Sequence, residues 1–431
     1  MKLNYKQTFF IGFGFFASSI AWSMYNSFVP ILLEKYLASS LLIGAAMTID
    51  NIFGVIFQPL VGSMSDKTRT RFGRRMPYIL IGIPICAVAF SIIPWTSSLF
   101  SLMAVVIIFN LVMSTWRAPV VALMPDLTPP SLRSQANGII NFMGGLGSLF
   151  SFFVGGLLFK AGGMPLPFFV SGLLMLVAVV VLKLFVNEKA SVLQHDQQLA
   201  EDYTETLKAT QNNQVEETEQ ANTENTVIEN TSPKKSLIFL LFAILFWFTG
   251  YNAVETFFSL YVTKTLTDSA GNFLTAGDAS LLLAMFSVTF LFFSIPAGII
   301  STKIGRKTTI LIGLFGVMTV FGAMLFVDNL LTLRILLLLC GIFWACVNIN
   351  SLPMVVEMAP WKNIGKYTGY YYFFSFSAAI ISPILFGFIR DVVDRYDIIF
   401  AYSAIAFGLA IICMLFVKHG EAEKTRVAID K

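Results

Sequence analysis

Charged residues are scarce in this sequence. Only 13% of its residues are Asp, Glu, Lys or Arg, whereas 56% are hydrophobic, and the mean hydropathy is +0.75. Soluble domains typically carry about 25% charged residues, so the composition excludes an ordinary soluble domain and predicts a membrane protein. The net charge of +4 is small, and nothing in it indicates a nucleic-acid partner.

Cysteine and histidine are scarcer still, with four and two copies. Every cysteine falls inside an apolar run, where such residues usually serve as small buried side chains, and the histidines form no ligand cluster. We therefore expect no disulfide framework and no metal site. The sequence also lacks a nucleotide-binding loop and a nucleophile triad, so we expect neither an enzyme nor a cofactor. The residues concerned are Cys86, Cys340, Cys346, Cys413, His195 and His419.

Long apolar runs dominate the chain instead. A helix needs about 20 apolar residues to cross the ~30 Å hydrocarbon layer. We count twelve such runs, which predicts an all-α membrane protein with twelve transmembrane helices. The first run is too long for a signal-peptide core, so we expect it to remain as a helix. The predicted spans are 8–33, 41–63, 76–95, 98–124, 137–160, 165–186, 237–262, 279–301, 308–327, 330–357, 367–390 and 397–417.

Lysine and arginine cluster in the loops that follow spans 2, 8 and 10. Basic residues in short loops mark the cytoplasmic side of a membrane protein. An even number of spans then places both termini in the cytoplasm, and we expect a multi-pass protein of the plasma membrane. The loop residues that set this orientation are Lys67, Arg69, Arg71, Arg74, Arg75, Lys303, Arg306, Lys307, Lys362 and Lys366.

The two halves of the chain repeat one another. Asp126, Pro129 and Gly138 recur at one constant interval as Glu357, Pro360 and Gly369, and two Gly-Arg turns recur at nearly the same interval. Repeated halves that rock about a central site are typical of secondary transporters. The repeat predicts two pseudo-symmetric six-helix bundles, in residues 1–188 and 236–418.

Residues 189–235 between the halves are polar and acidic. Such a composition buries too little apolar surface to fold alone, so it predicts a disordered cytoplasmic linker. A tether is the simpler interpretation, and a regulatory role is the alternative. Residues 419–431 form a short cytoplasmic tail.

The loop after span 2 carries the densest motif. Residues 58–78 read QPLVGSMSDKTRTRFGRRMPY, and residues 123–129 and 134–138 read LMPDLTP and SQANG. These motifs resemble the major facilitator superfamily, and within it the sucrose:proton branch of the glycoside-pentoside-hexuronide:cation symporters, including its bacterial members. The resemblance implies a latch that holds the cytoplasmic side shut in one state. We assign that gate to Asp66, Arg74, Arg75, Arg306 and Glu357, although topology and anionic lipid contact would also explain the arginines.

Ionisable residues inside spans are costly and need a partner or a water-filled cavity. Arg117 either faces a cavity or snorkels toward the cytoplasm, and the first option is favoured. Asp50 and Glu255 are candidates for proton coupling, with ion pairing to Arg117 as the alternative. The resemblance adds Asp126, since the matching Asp of the sucrose branch is associated with proton coupling. The paired Asp residues of melibiose-type members are replaced here by Gly54 and Gln58, which argues against sodium coupling through that pair.

Amide and aromatic side chains in the spans suit a polyhydroxylated ligand, because amides bond hydroxyls and rings cover the apolar faces of a sugar. A packing role is equally open for the pairs at positions 25–26 and 251–252. The predicted substrate-binding residues are Tyr25, Asn26, Arg117, Tyr251, Asn252, Trp344 and Asn348.

The leading hypothesis is proton-coupled uptake of a sugar or glycoside, such as sucrose or maltose, by a monomer that alternates access between its bundles. The expected partners are the sugar, protons and the lipid bilayer. The runner-up is a proton-driven exporter of amphipathic compounds, since one fold hosts both directions of transport. A sugar sensor would require a folded signalling domain, for which the sequence gives no sign.

Overall fold

The computed structural model describes residues 3–128, 132–188, 233–327, 329–359 and 364–420, and the fold is nearly all helical within them. The predicted linker falls mostly outside the described residues, as do most of the predicted tail and the repeated Pro129 and Pro360. The helices are α1 Tyr5–Glu34, α2 Ser40–Met47, α3 Ile49–Lys67, α4 Met76–Ile92, α5 Leu99–Leu127, α6 Arg133–Gly162, α7 Pro165–Phe185, α8 Pro233–Thr265, α9 Ala276–Ile304, α10 Arg306–Met324, α11 Leu330–Glu357, α12 Ile364–Val393 and α13 Ile398–Leu415, and a short 3-10 turn, Ile93–Trp95, follows α4.

Twelve helical segments of the described chain are long and apolar enough to cross a membrane, which confirms the predicted number of spans. Polar side chains fix where several of them begin. Ser98 and Ser101 form a reciprocal capping box at the start of α5, and Thr275 and Asp278 form another at the start of α9. These contacts satisfy backbone N–H groups that have no partner inside the helix.

Span 2 differs from the prediction because it is interrupted at Thr48, which separates α2 from α3. The Thr48 hydroxyl donates to the carbonyl of Ala45 at 2.8 Å, and the carboxylate of Asp50 accepts from the backbone N–H of Asn51 at 2.5 Å. Short polar side chains compete with helical hydrogen bonds in this way. The break places Asp50 in the first turn of α3, where the helix dipole favours a negative charge.

Helices α1–α7 form the first bundle and α8–α13 the second. We call the side on which α3 ends and α4 begins the basic face, because the loop between them carries Arg69, Arg71 and Arg74, and we call the opposite side the far face. The two bundles meet mainly where α2 packs on α12 and α6 on α9, with α1 against α8 between them.

The bundles are in close contact at the far face and separate toward the basic face. Near the far face, a Cβ added to Gly44 would lie 2.2 Å from the carbonyl oxygen of Pro383, and one added to Gly156 would lie 2.7 Å from that of Gly277. Farther along the same interbundle helices, a Cβ on Gly138 or Gly369 would meet no atom within 4 Å. Within the described residues, the interbundle hydrogen bonds and ion pairs identified all lie toward the far face.

Candidate functional site

A cavity of about 290 Å³ lies between the two bundles, near the middle of the spanning helices. Its volume is close to the lower end of the ~300–1,000 Å³ range of ligand pockets. The first bundle contributes residues of α1, α5 and α6, and the second contributes residues of α8, α9, α10, α11 and α13. The polar or aromatic lining residues that matter most below are Ser18, Ser19, Trp22, Ser23, Asn26, Arg117, Ser148, Tyr251, Glu255, Ser287, Trp344 and Asn348.

Helical periodicity places these side chains together. Trp22 and Asn26 are four residues apart on α1, as are Tyr251 and Glu255 on α8, and Trp344 and Asn348 on α11. Residues spaced by four share one face of an α-helix. Each of the three helices therefore presents an aromatic ring and a polar group to the cavity.

A flat aromatic surface forms one wall of the cavity. The rings of Tyr251 and Trp344 stack with centroids 4.5 Å apart and an interplanar angle of 4°. Phe407 and Phe248 hold the indole from the sides, with ring centroids 6.0 Å and 5.9 Å away in edge-to-face contact. Such pairs prefer offset-stacked or edge-to-face arrangements, so the wall is fixed by its own packing.

Arg117 lines the cavity from α5, which is the favoured of the two predicted positions. Its guanidinium lies over the ring of Trp22, 4.6 Å from the centroid. Among the described residues, no carboxylate oxygen lies within 4 Å of this guanidinium, and no side chain or backbone group accepts a hydrogen bond from it. A guanidinium has five N–H donors, so Arg117 offers an open set of donors to a ligand.

Glu255 faces Arg117 from the other bundle. It interacts with Asn26 of α1 and Tyr251 of α8, which line the cavity with it, so the carboxyl group lies where the two bundles meet. Asp50 is buried nearby and interacts electrostatically with both Arg117 and Glu255, although it does not line the cavity. The centre of the protein thus holds one cation and two acidic groups.

Two of the predicted binding residues lie outside the cavity lining. Tyr25 is buried against the ring of Phe109, and its hydroxyl accepts a hydrogen bond from Asn110 at 3.1 Å. Asn252 donates to the backbone carbonyl of Phe248 at 2.7 Å. In each predicted aromatic-amide pair, therefore, one member faces the cavity and the other packs within its own bundle.

A charge cluster occupies the basic face, away from the cavity. Arg75 pairs with Asp66 and with Asp126, whose Oδ2 lies 2.8 Å from the Arg75 Nε, and Arg74 pairs with Asp126 at 2.8 Å. In the second bundle Arg306 pairs with Glu357 at 2.9 Å. Each of these ion pairs joins two residues of the same bundle. Within each bundle the predicted gate residues of that bundle are therefore brought together, and Asp126 lies among those of the first bundle rather than among the cavity residues.

Sequence reasoning overlooked Glu188, the acceptor that completes this cluster. Its carboxylate accepts hydrogen bonds from the backbone N–H groups of Arg74, Arg75 and Met76, each at 2.9 Å, and so satisfies the N-terminus of α4. Gly73 allows the close approach, because its φ of 111° is unfavourable for other residues and an added Cβ would lie 2.3 Å from a Glu188 oxygen. An isolated acidic residue after span 6 was the only sequence signal.

Comparison with known proteins decides the family. The profile of the Major Facilitator Superfamily matches residues 11–277 and 265–430. The chain belongs to the Major Facilitator Superfamily. Proteins similar to parts of it include the multidrug resistance protein MdtG of Proteus mirabilis, 30% identical over 194 residues (44% of this chain and 46% of that protein). The sucrose transport protein SUC3 of Arabidopsis thaliana is 30% identical over 126 residues, 24% of this chain and 21% of that protein.

These matches span less than half of the curated relatives' length. Among solved structures, that of the peptide transporter POT in complex with alafosfalin is similar, with a TM-score of 0.70 and 15% identity over 96% of this chain and 95% of that chain. It supports the fold of this superfamily member and no more. The membership agrees with the twelve apolar helices of the described chain in indicating a protein that is embedded in a membrane by multiple spans.

The two bundles of this superfamily member carry equivalent ion pairs that should differ in strength. Arg75 and Asp126 correspond to Arg306 and Glu357 at the interval of the sequence repeat. The side chains of the first pair are 6% and 14% exposed, whereas those of the second are 22% and 37% exposed. Removing one partner of a buried pair costs about 3–5 kcal/mol, and an exposed pair contributes about 0–1 kcal/mol.

We therefore expect Arg75→Met to lower the thermal unfolding midpoint in detergent far more than its matched control Arg306→Met. The double variant Arg75→Met/Asp126→Asn should be no more stable than Arg75→Met, because Asp126 stays paired with Arg74 after the first substitution and its removal takes that partner from Arg74. Equal midpoints for the two single variants would contradict a structural role for the first cluster.

Proposed function

We propose that the protein is a proton-coupled symporter of a small sugar or glycoside, with its basic face in the cytoplasm. The proposal rests on one observation. In the cavity, hydrogen-bonding groups from both bundles face a flat wall of aromatic rings. Asn26, Arg117 and Asn348 supply amide and guanidinium groups, and Tyr251 and Trp344 supply the stacked rings.

The chemistry of this lining fits a polyhydroxylated solute. Amides and serine hydroxyls both donate and accept hydrogen bonds, as a sugar hydroxyl requires, and the arginine fork donates only. The ring faces cover the C–H surfaces that a pyranose presents. The lining combines a limited number of polar groups with a large apolar surface, which is the usual composition of a specific small-molecule site.

In the proposed cycle, solute and proton enter from the far face and leave at the basic face. Glu255 is the proposed proton carrier, because it lines the cavity beside Arg117 and Asn26. Asp50 is the second candidate and Asp126 the third, since Asp126 contacts the basic-face arginines instead. With the far face closed and the basic-face halves of the helices apart, this conformation corresponds to the release state of the cycle.

Proton movement provides a direct test. Energy-starved cells that express the protein are given a panel of glucosides that includes sucrose and maltose, while the external pH is recorded. Symport predicts alkalinisation on addition of the transported sugar, and none in cells that carry the empty vector or a protonophore. No pH change across the panel, with expression confirmed, would contradict sugar symport.

Export of amphipathic compounds is the second candidate. The observation in its favour is the number of phenylalanines around the cavity, among them Phe152, Phe286, Phe290, Phe321 and Phe407. Similarity to the multidrug resistance protein MdtG points in the same direction. Exporting cells should survive higher drug concentrations than cells that carry Glu255→Gln, and everted vesicles should accumulate the drug on acidification of their lumen. Unchanged drug survival in cells that show sugar-dependent alkalinisation would exclude this alternative.

A further inference from the structure

The contact between α12 and α2 joins the two bundles at the far face. The carboxylate of Asp391 in α12 accepts a hydrogen bond from the hydroxyl of Ser39 at 2.6 Å and from the backbone N–H groups of Ser40 and Leu41 at 2.7 Å and 3.1 Å. Helix α2 has no acidic residue in its own first turn. The second bundle therefore supplies the negative charge that this helix N-terminus lacks.

The contact between α6 and α9 is built on the same principle with the charges reversed. Asp278 lies in the first turn of α9 and accepts from the Thr275 N–H at 2.9 Å, so this helix carries its own acidic cap. The first bundle then supplies a cation, since the Lys160 Nζ lies 2.6 Å from the Asp278 Oδ1. Close backbone packing of Gly156 on Gly277 accompanies the ion pair.

These two contacts occupy equivalent places in the repeat. Lys160 and Asp391 are separated by the same interval as Asp126 and Glu357, and each reaches across to the first turn of a helix in the other bundle. Their charges are opposite because the helix termini that they contact differ. Lys160 contacts the N-terminus of α9, which has its own carboxylate, whereas Asp391 contacts the N-terminus of α2, which lacks one.

We propose that these two contacts are the latches of a far-face gate, and that both must break before the cavity opens to that side. The gate is independent of the identity of the substrate, because none of its residues lines the cavity. Asp391 is the stronger latch, since it bonds three groups of the first bundle besides its ion pair with Arg390, and its side chain is 25% exposed, whereas that of Lys160 is 49% exposed. An exposed ion pair is weakened by solvent.

Distances between the bundles test the gate. Spin labels are placed at the exposed far-face positions of Trp95 and Phe326, one in each bundle, with Cys346 and Cys413 replaced by alanine. In proteoliposomes, Asp391→Asn should increase the ratio of long to short distances about fivefold, as expected for loss of a charge at a helix terminus. Lys160→Gln should increase this ratio less than Asp391→Asn does, and the double variant Asp391→Asn/Lys160→Gln should increase it most.

Asp394→Asn is the matched control, because Asp394 directly follows α12, three residues after Asp391, is 86% exposed and forms its ion pair with Arg390 of the same bundle. It should leave the distance ratio unchanged. Unchanged distances in Asp391→Asn and Lys160→Gln alike would overturn the proposal.

Exchanging the charges separates a latch from a general effect on folding. Leu42 occupies in α2 the position that Asp278 occupies in α9, the third residue of the helix. Leu42→Asp alone should open the far face, since it places a second carboxylate beside Asp391, and Asp391→Lys alone should open it by removing the cap. Together they recreate the α6–α9 arrangement and should restore the short distance. A double variant as open as either single variant would overturn the latch.

Discussion

Replacing Glu255 with glutamine should abolish uphill accumulation of the transported solute and leave solute exchange intact. Glutamine keeps the size and the hydrogen-bonding capacity of a protonated carboxyl, so Asn26 and Tyr251 retain a partner, but it cannot take up or release a proton. If one proton moves with each solute molecule, a gradient of one pH unit should drive about tenfold accumulation in proteoliposomes that contain the wild-type protein. Proteoliposomes that contain the variant should show no accumulation. Counterflow of labelled solute measures the exchange.

Asp50→Asn and Asp126→Asn define the other two candidates in the same assay. Loss of accumulation with preserved counterflow in only one of the three variants would identify the carrier. The proposed order predicts that Asp126→Asn keeps its accumulation, because Asp126 contacts Arg74 and Arg75 and no cavity residue. Preserved accumulation in all three variants would rule out the assignment of the proton site.

The repeat in the sequence predicted much of the fold. Its constant interval reappears in the structure as the equivalent ion pairs Arg75–Asp126 and Arg306–Glu357. Hydropathy located the spans because a bilayer requires apolar helices of nearly fixed length. It could not locate the break at Thr48, since the break depends on local hydrogen bonds of Thr48 and Asp50 within an otherwise apolar run.

Only some of the residues predicted for the candidate site line the cavity, for a geometric reason. Charged and amide residues within spans are visible in a sequence, and Asn26, Arg117, Glu255 and Asn348 do line the cavity. The direction in which a side chain points depends on how its helix is rotated, and a nearly uniformly apolar helix does not reveal that rotation. Tyr25 therefore could not be distinguished from a cavity residue by sequence alone.

The far-face contacts were hidden for a different reason. Asp391 and Lys160 lie near the ends of their helices, where charged residues are common and need no partner. Their role depends on which helix terminus of the other bundle they meet, and that pairing requires the three-dimensional arrangement. The ion pairs at the basic face lie within single bundles, whereas the contacts of Asp391 and Lys160 at the far face join the two bundles. In this conformation the interactions that hold the bundles together are therefore at the far face.

Arg117 is the residue whose loss should weaken substrate binding most. It is a cation within the spanning region, held by the ring of Trp22 and without a carboxylate within ion-pair distance among the described residues. An ionised group in such a place is costly unless something compensates its charge. Asp50 and Glu255 compensate it electrostatically at longer range, and this leaves the five donors free for a ligand.

Arg117→Gln should therefore raise the solute concentration for half-maximal binding about 10- to 150-fold, the equivalent of a lost hydrogen bond to a charged group at ~1.5–3 kcal/mol. Quenching of tryptophan fluorescence can measure binding, because Trp22 and Trp344 both line the cavity. Arg117→Lys should recover only part of the affinity, since lysine restores the charge but not the planar fork. Arg117→Gln/Glu255→Gln, which balances the charges again, controls for misfolding. If both single variants at position 117 bound the solute as the wild-type protein does, Arg117 would be a structural partner of Trp22, and the solute would lie elsewhere in the cavity.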